Sequence, residues 1–215
     1  MMVATDGHRL AHVEQPARFE GLNAEVRVLV PKKAMTEVAR LLKEIEPDSQ
    51  VEFARDDSHL FFTAGERSDD RPSGRLLIAR LLSGQFPNYE AVLPRENNLV
   101  VVLERDAATA AIRRVAVQAD PRSRAIRLKL DKEKLEISAT SSEFGEAREE
   151  LVLPKPYTGE PLEIGFNADY LLDFLAAAAE GPISFEFKDD QSAGQMRPLA
   201  EEELKYRYII MPMRL

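Results

Sequence analysis

"LEIGFNADYLLDFLAAAAEGPISFEF", residues 162–187, contains a strand, a helix and a second strand with their punctuation intact. "LEIGF" is short and apolar, as a buried strand is. Asn167 follows, a side chain whose carbonyl can accept from the free N–H groups at the start of "ADYLLDFLAAAAE". Gly181-Pro182 stops that helix, because glycine accepts a positive φ and proline cannot continue the ladder. "ISFEF" then alternates, and Lys188-Asp189-Asp190-Gln191 makes a polar turn toward another strand.

The same order occurs twice upstream. From residue 26, "VRVLV" places Val26, Val28 and Val30 on one face and reads as a strand. Pro31 opens "KKAMTEVARLLKEIE", where Met35, Val38, Leu42 and Ile45 recur at helical spacing; this predicts a helix over 32–46, ended by Pro47-Asp48. "QVEFA" and "HLFFTA" follow as a hairpin around Asp56-Asp57. From residue 99, "LVVVLE" is a strand and 105–118 a helix with Ala108, Ile112 and Val115 inward. "AIRLKLDKEKLEISAT" is then a hairpin turned at Asp131-Lys132-Glu133-Lys134.

Such self-similarity marks one supersecondary unit duplicated around a shared core. One helix cannot cover its strands alone. Two units paired, with helices on one face of curved antiparallel sheets, make an α+β domain. Residues 96–215 hold two units, a complete domain. Residues 1–95 hold one unit plus an opening hairpin turned at Asp6-Gly7, which reads as the tail of a further unit. "FPNYEAVLPRENN", 86–98, is the connection. "GERSDDRPSG", 65–74, is a solvated loop.

The chain has 215 residues, 44% hydrophobic and without cysteine, so disulfides and thiolate metal sites are excluded. No apolar run approaches the length of a membrane span, and no signal peptide is visible. The formal charge of −8 argues against a protein coated in positive charge, though not against one basic face on an acidic body. An enzyme built on Asp6, His8 and His12 is a poor alternative: Asp6 and His8 flank a turn glycine, and no His-x-x-x-His helix, phosphate loop or nucleophile elbow occurs. No cofactor or metal is expected.

Four stretches resemble the bacterial sliding clamp, the beta subunit of DNA polymerase III: "VATDGHRLA" (3–11), "GQFPNYEAVLP" (84–94), "IGFNADYLLDFL" (164–175) and "YIIMPMRL" (208–215). They occur in the family's order. The resemblance implies the DNA clamp fold, with two units per domain. It makes 1–95 the second half of the middle clamp domain and 96–215 the complete C-terminal domain, in a truncated chain. It implies a cytoplasmic bacterial protein that tethers polymerase to duplex DNA for processive replication. The clamp is not itself catalytic, although its holoenzyme is a DNA-directed DNA polymerase, a nucleotidyltransferase.

By the same resemblance, a cleft binds short peptides of DNA polymerases, the clamp loader and repair proteins. Thr5, Gly7, His8, Arg9 and Leu10 line one wall, with Pro87 and Val92 beside them. Asn167 and Tyr170 stand on the other side, and Ile209, Ile210, Met211, Pro212, Met213 and Arg214 close it. Ala91 departs from the basic residue the family often carries there. The helices line the family's central hole, so Lys32, Lys33, Arg40, Lys43, Arg105, Arg113 and Arg114 would face DNA phosphates without reading bases. Full-length members form a ring homodimer. This chain is expected not to close one, and a non-encircling partner-binding module is the alternative.

Overall fold

The structure, a computed structural model, describes residues 1–16, 25–46, 49–64, 67–68, 71–72, 74–143, 145–200 and 204–214. In chain order the elements are β1 Met2–Thr5, β2 Arg9–Glu14, α1 Lys32–Leu42, β3 Val51–Arg55, β4 His59–Ala64, β5 Arg67–Ser68, β6 Arg71–Pro72 and β7 Arg75–Arg80. A 3-10 turn, Tyr89–Val92, leads on to β8 Leu99–Glu104, α2 Arg105–Ala116, β9 Ala125–Leu130, β10 Lys134–Ser141 and β11 Gly145–Val152. Last come β12 Leu162–Asn167, α3 Ala168–Ala177, β13 Pro182–Phe187, β14 Gly194–Pro198 and β15 Lys205–Ile210. The chain divides into two compact units, Met1–Arg18 with Glu90–Leu215, and Phe19–Tyr89.

The larger unit has two antiparallel sheets, ordered β1-β2-β15-β14-β13-β8 and β11-β10-β9-β12. Strand alternation sorts the side chains: in β9, Ile126, Leu128 and Leu130 are buried while Arg127 and Lys129 are not. The core joins both sheets to Ala108, Ala111, Ile112 and Val115 of α2 and Leu171, Phe174 and Leu175 of α3. Phe166, Phe174, Phe185 and Phe187 are fully buried, and each such ring contributes about 2 kcal/mol through area removed from water. The face of β13 turned away from this core buries Glu186. Its carboxylate accepts from Ser184 at 3.0 Å, Gln195 at 2.7 Å and Arg197 at 2.6 Å, so the buried acid is satisfied.

The N-terminal hairpin joins this same sheet. Leu10 lies opposite Ile209, Ala11 opposite Tyr208 and His12 opposite Arg207. The Asp6-Gly7 turn pair marked the hairpin but not its partner, because register between distant strands leaves no local mark. Strand β11 went unread in the sequence. "GEAREELV" is dense in Glu and Arg, residues poor in β propensity but suited to a sheet edge, where charge discourages unwanted pairing.

In the smaller unit α1 packs on a three-stranded sheet ordered β3-β4-β7. Leu60 and Ala64 of β4 and Ala34 and Val38 of α1 are buried. The helix is shorter than 32–46. It ends at Leu42, where Lys43 N–H bonds back to Arg40 and Leu41 carbonyls and Glu44 N–H to Leu41 at 3.1 Å, a tightened last turn. Its inward side carries the buried Ala34 and Val38 with Met35 and Leu41 partly buried, while Leu42 is exposed. The Pro47-Asp48 stop lies outside the described residues.

Residues 26–30 are not a strand. Leu82 N–H donates to the Leu29 carbonyl at 3.0 Å, but no strand among the described residues forms a ladder with 26–30, and β-branched composition alone does not make a strand. Helix α2 likewise stops at Ala116, short of 118, and runs into single-turn bonds from Val117, Gln118 and Ala119. Within 65–74, read as a loop, Arg67 pairs with Pro72 and Ser68 with Arg71 in a two-residue ladder; the residues at 65, 66, 69, 70 and 73 lie outside the described set.

Candidate functional site

The site is built where the hairpin turn, the start of α3 and the end of β15 meet, all within the larger unit. Gly7 makes the turn possible, with φ at +89°. Around it Asp6 Oδ1 accepts from His8 and Arg9 N–H, each at 3.1 Å, and the Thr5 hydroxyl donates to the Arg9 carbonyl at 2.7 Å. This is an Asx turn, in which a carboxylate replaces a backbone acceptor. Burial pushes the Asp6 carboxyl up, but the Arg9 side chain and these two backbone donors outweigh it and hold it below the usual aspartate value.

From this turn Arg9 reaches α3. Its Nε donates to Asp6 Oδ2 at 2.9 Å, and its Nη1 to Asp173 Oδ2 at 2.6 Å and to the Tyr208 hydroxyl at 3.1 Å. The guanidinium carbon lies 4.2 Å from the Tyr170 ring centroid, a cation–π stack. Tyr208 in turn donates to the Tyr170 carbonyl at 2.9 Å. Burial pushes the Tyr208 hydroxyl up to about 12, so it stays protonated as a donor. The His8 ring stacks near Tyr170 at 6.4 Å. Asn167 caps α3, its Oδ1 accepting from Asp169 and Tyr170 N–H and its Nδ2 donating to the Ser123 carbonyl at 3.0 Å.

Alternation along β2 and β15 divides the predicted residues between two faces. Arg9, Tyr208 and Ile210 share the face of the helical core, and Ile210 is fully buried in it. Leu10 and Ile209 oppose one another on the other face, 3% and 2% exposed. The strands end together: Met211 N–H donates to the His8 carbonyl at 2.9 Å, and Met211 is 46% exposed. Met213 N–H donates to Gly165 at 2.8 Å, so the tail also bridges to β12; Pro212 is partly buried and Arg214 exposed. Val92 is exposed on the 3-10 turn. Pro87 is exposed and belongs to the smaller unit. Asp173 and Tyr208 were not singled out in the sequence. The i,i+3 spacing of Tyr170 and Asp173 on one helix face was the available signal.

The cations differ in availability. Lys32, Lys33 and Lys43 are exposed, and Arg40 pairs with Glu37 at 3.2 Å. Arg113 is exposed with no ion pair among the described residues. Arg105 is spent internally: its side chain is 19% exposed, donating to Asp106 at 2.9 Å and the Ala178 carbonyl at 3.0 Å. Arg114 is held by both oxygens of Glu149. No group of three or more His, Cys, Asp or Glu among the described residues is arranged to hold a metal, and no helix there is long and apolar enough to cross a membrane.

Sheets assembled from repeated strand–helix–hairpin units, with two helices against one shared core, define the α+β DNA clamp fold. Residues 1–88 match the central domain and residues 90–214 the C-terminal domain of the DNA polymerase III beta subunit. The chain belongs to that family. It is 35% identical over 213 residues to the beta sliding clamp of Pseudomonas putida and 36% identical to that of Pseudomonas aeruginosa, covering 99% of this chain and 54% of each relative. A crystal structure of the Pseudomonas aeruginosa DNA polymerase sliding clamp with ligand superposes at a TM-score of 0.87, with 36% identity, over 99% of this chain and 55% of that one. Caulobacter crescentus pol III beta gives 0.84 at 33% identity, over 99% and 54%. The chain spans about half the length of the curated relatives it matches.

Proposed function

We propose that this chain serves as part of a bacterial sliding clamp: a non-catalytic processivity factor that tethers DNA polymerase and other replication and repair proteins to duplex DNA in the cytoplasm. Residues 1–95 supply the second half of a middle clamp domain and 96–215 a C-terminal one. Partner proteins dock by short peptides at the end of the β2–β15 ladder. Family membership supports the clamp reading. The observation that carries the docking reading is the convergence of His8, Arg9, Tyr170 and Met211 at one place in the larger unit.

The chemistry suits a site with several clients. Met211 offers an exposed, unbranched thioether that repacks around different apolar anchors. Thr5, Arg9 and Asn167 supply polar groups for a peptide backbone, and Gly7 lets that backbone come close. DNA is held through phosphate charge alone, by Lys32, Lys33, Lys43 and Arg113 above all. NMR titration with a Gln-x-x-Leu-Phe peptide tests the docking reading. Shifts concentrated at His8, Arg9, Tyr170 and Met211 support it, and shifts confined to other surfaces refute it.

A further inference from the structure

We infer that Asp173 is a positioning residue for the docking site: with Tyr208 it pins Arg9 on the Tyr170 ring and sets a preference for neutral over acidic peptide side chains there. This rests on the docking reading. Asp173 lies one helical turn after Tyr170, so its carboxylate and the ring share one face of α3. Arg9 arrives from β2 and is fixed on three sides, by Asp6 at Nε, by Asp173 and Tyr208 at Nη1, and by the ring beneath. Tyr208 also bonds the Tyr170 carbonyl, so strand, hairpin and helix are tied through one guanidinium.

Two consequences follow from this geometry. Only Nη2 of Arg9 carries no hydrogen bond among the described residues, so the group has one pair of N–H donors to offer an oxygen of a bound peptide. Its charge, moreover, is more than balanced. One guanidinium between two carboxylates, Asp6 and Asp173, leaves the cluster formally negative. A side chain that looks like an anion hook is thus a donor in a mildly anionic setting. It favours a carbonyl oxygen, such as that of glutamine, over a carboxylate. Asp173 is 64% exposed, so it is not needed to fill the core, and its role is read in Arg9.

The test compares Gln-x-x-Leu-Phe and Glu-x-x-Leu-Phe peptides by fluorescence anisotropy at low salt, on the parent chain, Asp173→Asn, Asp173→Glu and Met211→Ala. NMR of the Arg9 Nη groups reports their rotation. The inference expects the parent to prefer the glutamine peptide. Asp173→Asn should weaken that peptide by about two- to fivefold, shrink the Gln/Glu ratio and free Arg9 Nη rotation, and Asp173→Glu should restore much of each. If Met211→Ala weakens binding while Asp173→Asn leaves the affinity, the ratio and the rotation at parental values, the inference is overturned and docking stands. If Met211→Ala binds both peptides like the parent, the docking reading itself fails, and the positioning role with it.

Discussion

Met211 and His8 are joined by a backbone hydrogen bond of 2.9 Å, and through it the end of the last strand is tied to the turn that opens the chain. The bond extends the ladder in which Ile210 faces Arg9 and Ile209 faces Leu10. Two stretches about 200 residues apart in sequence thereby form one structural element, and the proposed docking site inherits its rigidity from a sheet rather than from a loop.

The turn depends on Gly7. A Cβ there meets nothing within 4 Å, so crowding is not the obstacle; the φ of +89° is. Gly7→Ala is expected to lower stability by about 1–2 kcal/mol through backbone strain, seen as a lower thermal midpoint. Peptide affinity should fall as well, since the turn presents His8 and Arg9.

Asn167 caps α3 and bonds Ser123 across the fold. Asn167→Ala is expected to cost about 1 kcal/mol in urea unfolding, and Asn167→Asp, which keeps the capping oxygen, appreciably less. Equal losses in the two variants would mean that the Ser123 bond, not the cap, carries the effect.

The hairpin, α2, α3 and the strands of the larger unit other than the charged edge strand β11 were legible because alternation, helical spacing and Asn/Gly punctuation are local. What stayed hidden was relational. The Leu10–Ile209 register, Asp173 and Tyr208 around Arg9, and the internal engagement of Arg105 and Arg114 each need a partner far away in sequence. The strand expected at 26–30 failed for the same reason, since propensity supplies no partner. The four family motifs pointed to the proposed docking residues, but not to the burial of Ile210 in the core while Ile209 faces the opposite side.

Asp6 gives a pH dependence with a definite sign. Its carboxyl titrates below the usual aspartate value in the folded chain; burial raises it, and the Arg9 and backbone hydrogen bonds lower it further. Its contribution is therefore complete above the unfolded aspartate pKa and is lost as pH falls through the depressed folded value. Stability measured from pH 6 downward should decline in that acid range, and Asp6→Asn should flatten part of the decline while lowering stability at neutral pH.

The cations separate into two groups. Lys32→Glu with Lys33→Glu, or Arg113→Glu, should weaken non-specific duplex binding and reduce its salt slope by about 0.9 for each phosphate contact removed. Arg105→Ala and Arg114→Ala should change thermal stability more than DNA affinity, because their donors are already engaged. Electrophoretic or anisotropy titrations across salt concentration distinguish the two.

The central claim, that peptides dock beside the joined ends of β2 and β15, is tested most directly by titrating a labelled Gln-x-x-Leu-Phe peptide against the parent chain and Met211→Ala. Truncating the exposed thioether is predicted to weaken binding by ~1–2 kcal/mol with the fold intact, whereas identical affinities for the two chains would contradict the assignment.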